Sequence, residues 1–216
     1  VVFLTKEEER MFDGEYGAAA QEAMRILVKV AEAYGAERMV EAKSAHVAAG
    51  LFLEEVEWYE KLIQGGARFR CFTTRHPWGI DYEHWEEVGT IYGNSPEIKQ
   101  LAEQIFSYSL KMGVIPMGTC IQYLLGDFLM PGDVFSWTGS AGVVFANSVL
   151  GARGNMDGIV TNYCVAITGR APEYGLLLKE NRKARIVVDC SKLDFKELSD
   201  ADWGALAFHV GKIVGT

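Results

Sequence analysis

The stretch from Trp137 to Gly158, WTGSAGVVFANSVLGARGNMDG, carries the densest chemistry in this chain. Small residues, two Asn and an Arg are compressed into what reads as a strand, a turn and a short helix. Glycine lets a backbone approach a ligand closely. Asn supplies donors and acceptors together, and Arg grips a carboxylate or phosphate with two parallel hydrogen bonds. This is the composition of a pocket for a polar, anionic small molecule, with Asn147, Ser148, Arg153 and Asn155 as candidate substrate-binding residues. Three other polar segments each follow an apolar run: Lys43 to His46, Thr73 to Gly79, and Gly118 to Tyr123. In the first, Lys43, Ser44 and His46 form a compact acid–base and anion-binding trio, with Ser44 and His46 as catalytic candidates. Thr73 and Thr74 in the second join the substrate-binding candidates.

Cys120, in Gly-Thr-Cys-Ile-Gln-Tyr, has two readings. It is a thiolate metal ligand or nucleophile, or it is a small buried hydrophobe, the commonest fate of a free cysteine. Taken alone, the buried reading wins. Cys71 and Cys164 read as packing residues and Cys190 as the end of a strand without a chemical role. One thiolate cannot hold an iron–sulfur cluster, which wants three or four. No nucleophile elbow, phosphate loop or compelling Ser/His/Asp order is present. His76 reads as a turn-shaping residue, and His84 and His209 as surface or packing residues.

These segments need a scaffold. Thr5 and Glu8 form a capping-box pattern ahead of a short helix that Gly14 ends. A helix runs from Ala18 to Tyr34 and stops at Gly35; others cover Leu51 to Gln64 and, capped by Asp81, Tyr82 to Val88. Ser95-Pro96 starts a helix that ends at Gly113. Further helices are expected over Ser140–Leu150, Ile159–Thr168 and Ser199–His209. Strands are expected over Arg38–Ala42, Arg68–Phe72, Val114–Pro116, Val134–Trp137 and Arg185–Asp189. Strands alternate with helices, which predicts an α/β chain with helices around a largely parallel sheet. Ligands bind such sheets at the strand exits, where the four polar segments are expected to meet.

The 216 residues are 49% hydrophobic, enough for a real core in one domain or two small ones. A formal net charge of −8 argues against nucleic acid as a partner. No apolar run approaches the ~20 residues of a membrane span, and charged Lys6 to Arg10 does not fit a signal peptide. Cysteines without any CxxC pair point to a reduced, cytoplasmic protein. The chain begins on Val and halts at Gly215-Thr216 without a closing element, so it is expected to be part of something longer.

Six segments taken in order, LTKEEERMFDGEYG, KSAHVAAG, TTRHPWGID, GVIPMGTCIQY, ANSVLGARGN and ITGRAPEYGLLLKENR, resemble the aconitase X family over nearly the whole chain. The resemblance implies a three-layer aconitase-like fold and a hydro-lyase that removes water from a small hydroxy acid, cis-3-hydroxy-L-proline or mevalonate 5-phosphate. It also implies an iron centre, an iron–sulfur cluster or a single iron, with Cys120 at the first ligand position. The remaining cysteine ligands belong to a later part of the catalytic region, and a small swivelling domain, fused or separate, carries a catalytic Ser. On this reading residues 1–216 are the N-terminal half of a catalytic subunit. The alternative is a non-catalytic small-acid-binding or structural subunit of the same family.

Overall fold

The computed structural model describes residues 1–48, 53–77, 79–81, 83–89, 91 and 95–214, in two compact units, Val1–Leu178 and Lys179–Thr216. The first unit opens with α1 (Lys6–Asp13). The Thr5 hydroxyl accepts from the Glu8 amide while the Glu8 carboxylate accepts from the Thr5 amide, and Gly14 closes the helix in the left-handed region. Glu8 is buried and its other oxygen accepts from Arg170 Nε at 3.0 Å, so one side chain both starts the helix and ties it to a strand 162 residues away. In α2 (Ala18–Tyr34), Ala19, Ala20, Ala23, Met24, Leu27 and Ala31 are buried. The small side chains permit close approach: a Cβ on Gly65 would stand 2.8 Å from the Ala19 backbone nitrogen.

The chain continues through β1 (Met39–Glu41), β2 (Ser44–Val47), α3 (Leu53–Gln64), β3 (Phe72–Arg75), α4 (Trp85–Val88) and α5 (Pro96–Met112). It then passes through β4 (Phe135–Trp137), α6 (Ser140–Ser148), α7 (Ile159–Thr168) and β5 (Arg170–Pro172). The sheet that matters is parallel, in the order β3-β2-β4. Parallel bridges extend it on both edges, Thr74 with Ile115 on one side and Val134 with Arg153 and Trp137 with Met156 on the other. A separate antiparallel pair joins β1 to β5. One face of the parallel sheet packs on α7, which is buried from Asn162 to Thr168 and lies on α2. The other face is covered by α6 and the segment around Leu129, in a smaller core built on Phe135, Trp137, Val143 and Ala146. Helix–sheet–helix layering is thus present as expected.

Two segments read as loops are strands. Ser44-Ala45-His46 is the central strand, not the exit of the preceding one, because the chain changes sheets between Ala42 and Ser44: Ala42 N–H donates to Gly169, and Lys43 N–H to Val134. Thr73-Thr74-Arg75 lies in β3, whereas residues 68–71 are in no strand, and within them Phe69 and Arg70 donate instead to Met112 and Ala166 at the ends of α5 and α7. Among the described residues, Ile115 makes a single bridge. Asp81 accepts from the His84 amide just ahead of α4, and Tyr82 lies outside the described residues, as do Leu51, Phe52 and Trp78. The short β5 was not foreseen.

In the second unit, residues 185–189 form no strand and are exposed. Ser199 does start a helix, donating its hydroxyl to Asp202, but α8 runs from Asp200 to Val214, past His209.

Candidate functional site

Register decides which side chains share a face. His46 is paired with Thr74 on one side and with Trp137 on the other, and Ser44 with Phe72 and Phe135. Side chains alternate along a strand, so Ser44, His46, Thr74 and Trp137 face one side together. Thr73 and Arg75 face the other.

On the first face lies a buried polar network. Trp137 Nε1 donates to the Ser44 hydroxyl at 2.9 Å, and Ser44 donates to Asp127 Oδ2 at 2.9 Å. Thr74 donates to the same oxygen at 3.1 Å, and His46 Nδ1 lies 2.8 Å from Thr74 Oγ1. Every one of these side chains is at most 1% exposed. Burial raises the Asp127 carboxyl to about 6, against the opposing pull of the Ser44 and Thr74 hydroxyls. Burial also lowers His46 to about 3, aided by His76 and then Arg75, while the Thr119 carbonyl pulls the other way. His46 is therefore neutral across ordinary pH, and its Nε2 has no hydrogen-bond partner among the described residues.

At the C-terminal ends of these strands the His46 ring stands 5.3 Å from the ring of His76. His76 Nε2 lies 3.2 Å from Cys120 Sγ. Cys120 is exposed. This overturns its reading as a buried hydrophobe: after the bridge at Ile115 the chain meets the end of β3, where the Gly118 amide donates to the Arg75 carbonyl, and two residues on the thiol is open to water. Cys164 is buried, with burial pushing its thiol well up, and Cys71 packs against the main core, its thiol raised to about 11. Both match their packing assignment. Thiolate and imidazole suit iron, yet among the described residues no three His, Cys, Asp or Glu side chains gather as a metal site. The described residues place one thiol and one imidazole together there, Cys120 and His76.

The Trp137–Gly158 stretch divides differently from expectation. Asn147 donates to the Val143 and Gly154 carbonyls and accepts from the Gly154 amide. Asn155 donates to the Tyr174 carbonyl and accepts from the Leu176 amide. Ser148 returns its hydroxyl to the Val144 carbonyl. These groups hold a turn together. Gly154 is needed for packing, since a Cβ there would stand 2.5 Å from the Phe135 ring. Arg153 bridges Val134, at the opposite end of β4 from Trp137 and on the opposite face from His46. The structure therefore brings Ser44, His46, Thr74 and Cys120 to one region and leaves Arg153, Asn147, Ser148, Asn155 and Thr73 out of it. Sequence reasoning missed Asp127 and the part played by His76. The signal for Asp127 was a carboxylate set between apolar residues, Leu-Gly-Asp-Phe-Leu.

The family described as the aconitase X first domain matches residues 1–180. The phosphomevalonate dehydratase large subunit of Methanothermobacter thermautotrophicus is 40% identical over 221 residues, covering 99% of this chain and 53% of that protein. The cis-3-hydroxy-L-proline dehydratase of Pseudomonas aeruginosa is 35% identical over 206 residues, 94% of this chain and 34% of that protein. Among solved structures, the holo-form of Thermococcus kodakaraensis aconitase X matches with a TM-score of 0.81 at 35% identity, over 100% of this chain and 53% of that one. The chain spans about half the length of the large subunits it matches.

Proposed function

This chain belongs to the aconitase X family, and we propose that it works as the first half of a hydro-lyase that removes water from a small hydroxy acid. Mevalonate 5-phosphate is the first substrate to test, since the relatives named for phosphomevalonate include one 40% identical. cis-3-Hydroxy-L-proline is the second, on a relative 35% identical. The observation that carries the reading is the exposed Cys120 thiol beside His76 at the strand ends.

Loss of water separates a hydroxyl from one carbon and a proton from the carbon beside the carboxylate. An iron centre held through Cys120 and donors from outside this chain would supply Lewis acidity at the substrate oxygen. The chain's own residues contribute a preformed wall. A ring as reluctant to charge as His46 is a poor base, so its role is that of a neutral hydrogen-bond acceptor. Ser44 is committed to Trp137 and Asp127 and supports that wall rather than attacking anything. Trp137 and Leu129, both buried, keep water from behind it. The proton-abstracting group is assigned to the small swivel domain, the second proposed partner along with the rest of the catalytic region.

The test uses the complete protein, reconstituted anaerobically with iron and assayed for water loss from both hydroxy acids. Turnover of one of them is expected, with Cys120→Ser lowering iron content and rate together. Turnover at the wild-type rate in Cys120→Ser would overturn the metal assignment, and the absence of turnover on both acids with iron fully loaded would overturn the substrate class.

A further inference from the structure

The buried network fixes more than the position of His46. Each donor in it has one direction open. Trp137 Nε1–H can only donate, so the Ser44 oxygen accepts from it and spends its own proton on Asp127 Oδ2. Asp127 Oδ2 accepts again from the Thr74 hydroxyl. A hydroxyl has a single proton. Thr74, having given it to the carboxylate, can meet His46 Nδ1 at 2.8 Å only as an acceptor. The proton on the neutral imidazole must then sit on Nδ1, and Nε2 carries a lone pair.

We propose that Asp127, acting through Thr74, is a positioning residue that locks His46 in the Nδ1–H tautomer, so that Nε2 presents a lone pair to a donor hydroxyl of the ligand at the Cys120 end of the sheet. Two independent observations support it. His46 Nε2 is wholly buried and makes no well-formed hydrogen bond among the described residues, with the Thr119 carbonyl as its one nearby polar group, which is costly unless a donor arrives. The register places His46 and Thr74 directly opposite each other on adjacent strands, so their contact is set by the sheet rather than by a mobile loop. The groups around the ring are His76, Arg75, Thr119 and Asp127. Of these, the Thr119 carbonyl is the one acceptor that would favour the opposite tautomer.

The identity of the donor as a substrate hydroxyl rests on the hydro-lyase reading; the tautomer does not. The test is therefore in two arms. In the first, the chain is labelled with 15N-histidine and the His46 ring nitrogens are assigned by their loss in His46→Gln. At neutral pH Nδ1 is expected to resonate as a protonated nitrogen and Nε2 as an unprotonated one. Thr74→Val, close to isosteric, is expected to abolish that pattern, and Thr74→Ser to restore it. Asp127→Asn provides a second variant that breaks the same relay should Thr74→Val fold poorly. A protonated Nε2 in the wild type, or an Nδ1–H pattern unmoved by both Thr74→Val and Asp127→Asn, overturns the proposal. In the second arm, the reconstituted complete protein carrying Thr74→Val is expected to lose roughly tenfold or more in kcat/KM, with Thr74→Ser recovering most of it. The expected tautomer with no effect on turnover would overturn the assignment of the donor. The expected tautomer in a protein that turns over neither acid would condemn the hydro-lyase reading while leaving the lock intact.

Discussion

His46 and Asp157 move stability with pH in opposite directions. The Asp157 carboxyl is raised by burial to about 6, with the Ser136 and Tyr174 hydroxyls pulling it back. Its unfolded value is about 3.9. Between those values the native state keeps a proton the unfolded chain has released, so stability falls as pH rises from about 4 to about 6 and is level above. Asp157→Asn removes that slope. The stability of Asp157→Asn relative to wild type is expected to rise by about 1–3 kcal/mol between pH 4 and 7, measured by urea unfolding at a series of pH values. A constant difference would mean the carboxyl is not strained by burial. His46 has the contrary sign. Its folded value near 3 lies below the ordinary 6.5, so the unfolded chain binds a proton that the native state refuses, and its contribution grows as pH rises from about 3 to about 6.5. His46→Gln is expected to be less sensitive to acid over that window than wild type, relative to each protein's stability at pH 7. Equal sensitivity would show that the native ring titrates normally.

Elements whose ends are marked by local chemistry were legible in the sequence. Thr5 with Glu8, and glycines 14, 35 and 113 in left-handed caps, marked helix ends within a residue of where they fall. β4 was legible as a strand, but β2 and β3 were not, because Ser44, His46 and Thr74 look like loop residues until Asp127 and Trp137 arrive from far along the chain to satisfy them. Cys120 was placed by resemblance to a family and not by its local pattern. In the Ala-Arg-Gly-Asn motif the Arg carries the obvious chemistry, yet the Gly and Asn do the structural work described above. That division can be measured. Gly154→Ala is expected to cost about 1–3 kcal/mol through overpacking against Phe135. Phe135→Leu in the same chain is expected to recover part of it, a coupling a double-mutant cycle would read. Strict additivity would show that the contact is not what excludes a side chain there. On α1, Thr5→Ala is expected to cost about 1 kcal/mol, as a lost cap does. Glu8→Ala should cost more, since it also strips a partner from Arg170, though the exposed pairing of Arg170 with Glu7 remains.

The molecule as a whole shows water an apolar surface beside its candidate site. Ile121, Leu124, Leu125, Phe128 and Met130 follow Cys120 directly and are all exposed, Phe128 by 74%. Val144 of α6 and Val149 just after it are exposed as well, and Phe145 stacks on Tyr123 at 4.3 Å, which brings the two segments together. Side chains of this size are normal one by one on a soluble protein, but a contiguous group is not. The large subunits that this chain matches are about twice its length, and their remaining half is the proposed cover for this surface. With this surface open to water, the 216-residue chain is expected to self-associate as its concentration rises, in spite of a net charge of −8 that favours separation. Sedimentation velocity over a range of concentrations would show a rising mean mass. Leu125→Ser combined with Phe128→Ser should suppress it without a large change in unfolding midpoint, because neither side chain is part of the core. A chain that stays monomeric at every concentration, or a double variant that associates as strongly as wild type, would place the driving surface elsewhere.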